Sequence, residues 1–207
     1  MFSISTGVTL SRTIALSSLL LLAACGGGGG SDPAPGPSGS SLPELAASYT
    51  DLAPASTVGK LTSWTAGSAT GAPIDGVICA ASEAYHAHAV VSIYQDGVRL
   101  AVPAQIGLSG CAYELHTHDA TGIVHLEADS QKPFTLGQFF SVWGQPLSAT
   151  GVAGLSGTPL FYTIENEKVT AFTGDPRTIA LAGHKEIAIV VGTPPAKLDK
   201  NRLPAGY

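Results

Sequence analysis

Two β-prone runs, Ala87–Tyr94 and Val98–Val102, flank the tripeptide Gln95-Asp96-Gly97. Asp-Gly suits a two-residue turn in which both positions need positive φ, so this pair predicts an antiparallel hairpin. Two further hairpins follow the same logic. One joins Tyr113–His118 to Ile123–Glu127 across Asp119–Gly122; the other joins Leu160–Ile164 to Val169–Phe172 through Asn166-Glu167. Glu186–Val191 reads as a last buried strand. One helix interrupts the strands. In Phe134–Gly144, Thr135 and Gln138 have capping-box spacing, Phe134 and Phe139 stand where a hydrophobic staple forms, and Gly144 can end the helix. The expectation is a mostly β, α+β fold, its antiparallel hairpins forming a sandwich or grasp-like sheet with one short helix near 135–143. No internal repeat is visible.

The N-terminal third carries other signals. Met1–Ser11 has no acidic residue, Arg12 supplies a positive charge, and the apolar run Ile14–Leu22 is about half the ~20 residues that a spanning helix needs. Leu22-Ala23-Ala24-Cys25 resembles the lipobox of bacterial lipoproteins, which implies a signal peptide over residues 1–24 and acylation of Cys25. Each buried methylene of such an anchor contributes ~0.8 kcal/mol. Gly26 stands where that class carries aspartate for inner-membrane retention, so the resemblance implies the cell envelope, and the outer membrane in a Gram-negative host. Residues 26–41 are Gly, Ser and Pro with single Asp and Ala residues; they bury nothing and read as a tether. Residues 42–70, rich in Ala, Ser and Thr, read as a weakly ordered lead-in with a short helix from Pro43. The expected organisation is thus signal peptide, a tethering stretch over 25–70, and one β-rich domain over 71–207.

Charged residues make up 12% of the chain, and the part after Cys25 holds 9 basic and 15 acidic residues with no Lys/Arg run. That argues against a nucleic-acid partner. Cys79 and Cys111 lie in the exported part, where a disulfide is the default and soft metal ligation the alternative.

Five of the six histidines fall within forty residues: His86, His88, His116, His118 and His125. Each His-x-His sits on a predicted strand, where residues i and i+2 share a face. A four-residue loop over Asp119–Gly122 would pair His118 with Ile123, His116 with His125 and Glu114 with Glu127. Opposed Cβ atoms lie ~4.5–5.5 Å apart, within reach of one shared ion. Imidazole suits copper and zinc, so one such ion is the expected cofactor, with Asp119, Glu114 and Glu127 as accessory groups. The blander reading makes these histidines hydrogen-bonded sheet residues. His184, in Gly-His-Lys, reads as a turn residue.

The run Cys111–Glu127, with its Cys-Ala-Tyr-Glu-Leu-His-Thr-His-Asp core, resembles the centre of a family of exported bacterial and archaeal proteins. His86–Ala89, Val102–Ala104, Phe134–Gly144, Gly174–Arg177 and Gly192–Pro195 resemble its flanking motifs. The resemblance spans roughly residues 75–195 and brings no activity with it. Enzyme signatures fit poorly. No glutamate stands where a cupin needs one after His-x-His, and neither His-Glu-x-x-His nor Gly-x-Ser-x-Gly occurs. Leu115–His118 is faintly like metal-dependent phosphoesterases, whose barrel needs a longer chain. The leading expectation is an envelope lipoprotein that presents a copper- or zinc-binding domain for delivery or sequestration. A metal-free tethered interaction module comes second and a metalloenzyme third.

Overall fold

A computed structural model describes residues 42–207. The expected signal peptide over 1–24, the expected lipidation site Cys25 and the expected tether over 26–41 lie outside the described residues. In chain order the elements are β1 (Leu45–Asp51), β2 (Tyr85–Gln95), β3 (Val98–Leu100), β4 (Leu115–His116), β5 (Ile123–Ala128), β6 (Phe134–Thr135) and α1 (Leu136–Trp143). There follow β7 (Leu147–Ser148), β8 (Gly151–Val152), β9 (Pro159–Glu165), β10 (Lys168–Phe172), β11 (Ala180–Leu181), β12 (Glu186–Val191) and β13 (Leu198–Arg202), with a 3-10 turn over Pro176–Thr178. The fold is α+β and mostly β, with one α-helix among the described residues and no closed barrel. No helix of the described residues is long and apolar enough to cross a membrane.

The centre is a seven-stranded sheet in the order β10-β9-β12-β2-β5-β4, with β3 paired to β2. Its hairpins are where the turn chemistry puts them. Asp96 and Gly97 take φ of 48° and 81°, and Asn166 and Glu167 take 50° and 62°. The sheet is mixed, because β12 runs parallel to β2 while pairing antiparallel with β9. The stretches Val90–Tyr94 of β2 and Ile187–Val191 of β12 are buried without alternation and almost wholly apolar, which is what strands covered on both faces require.

On one face Ala89, Val91 and Ile93 pack with Val124, Leu126, Ile187 and Ile189 against the helix. Phe139, Phe140 and Trp143 of α1 are fully buried there, each worth about 1.5–3 kcal/mol. The helix starts as its sequence dictates: the Gln138 backbone N–H donates to the Thr135 hydroxyl, and the Thr135 backbone N–H donates to Gln138 Oε1. It ends at Gly144 with φ of 74°.

The other face is covered in its apolar part by β1 and β13, a parallel two-stranded ribbon. Tyr94, Tyr162, Ile164 and Val190 meet Leu198 and Leu45, while Val90 and Ile123 meet Leu52. This corrects the reading of 42–70 as a weakly ordered lead-in. Leu45–Asp51 is a strand rather than part of a helix, Leu52 is buried, and the Lys60 N–H donates to the Arg99 carbonyl at 2.8 Å. Trp64 packs edge-on against Trp143 and donates Nε1–H to the Ala153 carbonyl. The ladder partner of β1 comes from the far end of the chain, and an Ala/Ser-rich strand carries little β-propensity of its own.

The Cys79–Cys111 disulfide is present. It fastens residues 78–80 alongside 112–114, where the Ala80 N–H donates to the Ala112 carbonyl and the Glu114 N–H to the Ile78 carbonyl. That strip leads directly into β4.

Candidate metal centre

Register alone brings the histidines together. β5 lies between β2 and β4, with His88 opposite His125, His86 opposite Glu127, and His116 opposite His125. His88, His125 and His116 therefore form one row across three strands. His86 and Glu127 form the next, because side chains two residues apart share a face. The predicted pairing of His118 with Ile123 does not occur. After His116 the chain turns away to pair with the loop before it, the Thr117 N–H donating to the Ile106 carbonyl. His118 still turns its ring back onto the row.

The tautomers follow from the partners. His116 Nδ1 lies 2.7 Å from the Tyr113 carbonyl, which can only accept, so Nδ1 carries the proton and Nε2 offers a lone pair. That Nε2 is 3.2 Å from His118 Nε2, whose N–H donates to it in the absence of a cation, and 3.5 Å from Glu127 Oε2. His125 Nδ1–H donates to Glu127 Oε1 at 3.0 Å, and His86 Nε2–H donates to the same oxygen at 3.0 Å. His116, His118, His125 and Glu127 each present a ligand atom within 4.8 Å of the others, a spacing that can hold a metal ion. Zn–N bonds of about 2.0–2.1 Å at tetrahedral angles put ligand nitrogens about 3.3 Å apart, which is close to the His116–His118 separation.

The protonation states suit a cation. His116, 1% exposed, and His88, 5% exposed, have imidazole pKa values lowered to about 4, chiefly because burial disfavours the charged ring. Burial lowers His118 as well. Burial would push the Glu127 carboxyl up, but the His125 hydrogen bond and the charges of His116, His125 and His86 outweigh it and hold it at about 2. Near neutral pH the rings of His88, His116 and His118 are thus neutral beside one carboxylate.

These shifts make a prediction for the metal-free chain. An unfolded chain titrates its imidazoles near 6.5, so between about 6.5 and 4 it takes up more protons than the folded one. Folding stability should fall as pH drops through that window, by on the order of 3 kcal/mol for each of His88 and His116. Glu127 acts lower, between about 4.5 and 2. Thermal denaturation in chelator at pH 7.5, 6, 5 and 4 checks this, and a midpoint that stays flat from 7.5 to 4 contradicts it.

Not every expected residue joins the cluster. Glu114 is 2.6 Å from Lys132 Nζ and accepts the Ile78 N–H, so its charge is already answered and it does not face Glu127 across an ion. Asp119 accepts the backbone N–H groups of Ala55 and Thr121 and the Thr121 hydroxyl, which makes it a turn-former rather than a partner of a ligating histidine. Cys79 and Cys111 are spent on their disulfide. His184 sits in a turn at φ of 60°.

Two neighbours carry no sequence signal. Tyr207 stacks on His88, ring centroids 4.2 Å apart, and meets the His125 ring edge at 5.5 Å. Glu83, His86 and Glu127 form a further set of close ligand atoms. Both Tyr207 and Glu83 line the concavity of about 430 Å³ into which the five histidines open. Comparison with protein-family models, curated proteins and solved structures gives no match to this chain.

Proposed function

We propose that this protein is a lipid-anchored envelope protein whose domain binds a transition-metal ion, Zn(II) or Cu(II), for sequestration or delivery. The observation that carries the metal reading is the pair of Nε2 atoms of His116 and His118 at 3.2 Å, with Glu127 Oε2 at 3.5 Å. Two neutral imidazoles and a carboxylate converging at that distance match the donor preferences of both ions. Anchoring rests on the order of Arg12, the apolar run and Leu22–Cys25, and the Cys79–Cys111 disulfide suits an oxidising compartment.

The test uses the full chain, purified without chelator or nickel resin. Metal analysis should find at least one equivalent of zinc or copper, and His116→Ala with His125→Ala should lose it. A chain that stays metal-free after incubation with either ion overturns the metal reading. Cys25→Ser should release the protein from the membrane fraction; membrane retention by that variant overturns the anchor.

A further inference from the structure

The cluster is too wide for one ion. His88 and His116 belong to strands on opposite sides of β5, and adjacent strands are spaced about 4.8 Å apart. An ion bonded at about 2.0–2.2 Å gathers only atoms within about 4.4 Å of one another. The ligand atoms divide accordingly. His116 and His118 fall in one set with His125 and Glu127, whereas His86 and His88 fall in another with His125.

His88 supplies an independent sign. Its Nε2 is buried and has no hydrogen-bond partner, although the ring is 5% exposed and lines the concavity. Buried polar atoms nearly always find a partner, and an orphan needs a reason. A partnerless ring nitrogen on an imidazole packed against those of His86 and His125 can offer its lone pair to an ion.

Glu127 connects the halves. Its Oε1 lies 3.0 Å from His86 Nε2, and its Oε2 lies 3.5 Å from His116 Nε2. Oε1 also accepts from His125 Nδ1 at 3.0 Å, so the two oxygens lie on the His86 and His116 sides of the row. An ion that displaces the His86 proton would meet Oε1, as one beside His116 would meet Oε2. Two-metal centres hold their ions about 3.5–4 Å apart, a span that one carboxylate covers. Resting on the metal-binding reading above, we infer that the site is dinuclear. His116 and His118 hold one divalent transition-metal ion, His86 and His88 hold a second, Glu127 bridges them, and His125 stands between.

The full chain, stripped with chelator and dialysed against Zn(II) or Cu(II), should bind two ions. His86→Ala should bind one; that side chain is 42% exposed, so the variant keeps its fold. His88→Ala should also fall to one. In the Cu(II)-loaded protein the electron paramagnetic resonance signal should be weakened by coupling between the ions, and His86→Ala should restore an uncoupled single-ion spectrum. One ion in the wild type, unchanged in His86→Ala, overturns the inference and leaves the single-site reading standing. Two ions in both variants, or two without coupling, overturn the assignment of ligands and bridge. No ion in any form sinks the metal reading itself.

Discussion

Saturating the metal-free chain with Zn(II) should raise its thermal midpoint by about 8–16 °C. A ligand at a thousand times its dissociation constant stabilises the folded state by about 4 kcal/mol. In a domain of this size each kcal/mol moves the midpoint by about 2–4 °C. The effect should be large because the folded chain prepares the ligands. The Tyr113 carbonyl fixes the tautomer of His116, Glu127 is held ionised, and β5 supplies His125 from the middle of the sheet. An unfolded chain offers none of this together. His118→Ala removes a ligand without opening the core, since His118 lies on the exposed side of the row. Losing even an outer partner typically lowers affinity by about 10–100-fold. At the same Zn(II) concentration a hundredfold loss leaves about 1.4 kcal/mol, and the shift should shrink to about 3–6 °C. An equal rise in wild type and His118→Ala would place the stabilising ion elsewhere. No rise in either would remove the metal from the account.

Much of this centre was legible because strand geometry is strict. The four-residue Asp119–Gly122 connection set His116 opposite His125, and that pairing is present; alternation put each His-x-His on one face. The error at His118 has a plain cause. Gly122 sits at φ of 88°, and a Cβ there would fall 2.3 Å from the Val91 carbonyl. Its chain is thus docked against β2 rather than closing a short loop. Glu114 and Asp119 looked like accessory groups of the site because sequence shows charge and spacing but not the group that answers the charge, Lys132 in one case and the Ala55 and Thr121 amides in the other. What the sequence could not show at all was long-range contact. The β1–β13 pairing, Trp64 on Trp143 and Tyr207 on His88 each join segments 60 residues or more apart, and none leaves a periodic trace.

The second large effect concerns the disulfide, which bears on stability and metal together. Cys79 and Cys111 are 32 residues apart. Cross-linking a loop of that length lowers the entropy of the unfolded chain by an amount worth about 3.5–4 kcal/mol at 25 °C. Replacing both with serine should therefore lower the thermal midpoint by about 7–16 °C. The consequence should reach the cluster. The bridge holds Ile78 against Glu114, and the next residue back, Tyr113, offers the carbonyl that fixes His116. Loosening that strip frees the His116 ring to rotate, so the double variant should also bind Zn(II) about 10-fold or more weakly, as when a partner that orients a ligand is lost. Calorimetry and a competitive zinc titration on the same preparation separate the two effects. A lowered midpoint with unchanged affinity would mean that the disulfide stabilises the fold without positioning His116. An unchanged midpoint would mean that the 78–80 strip is held by its backbone bonds alone.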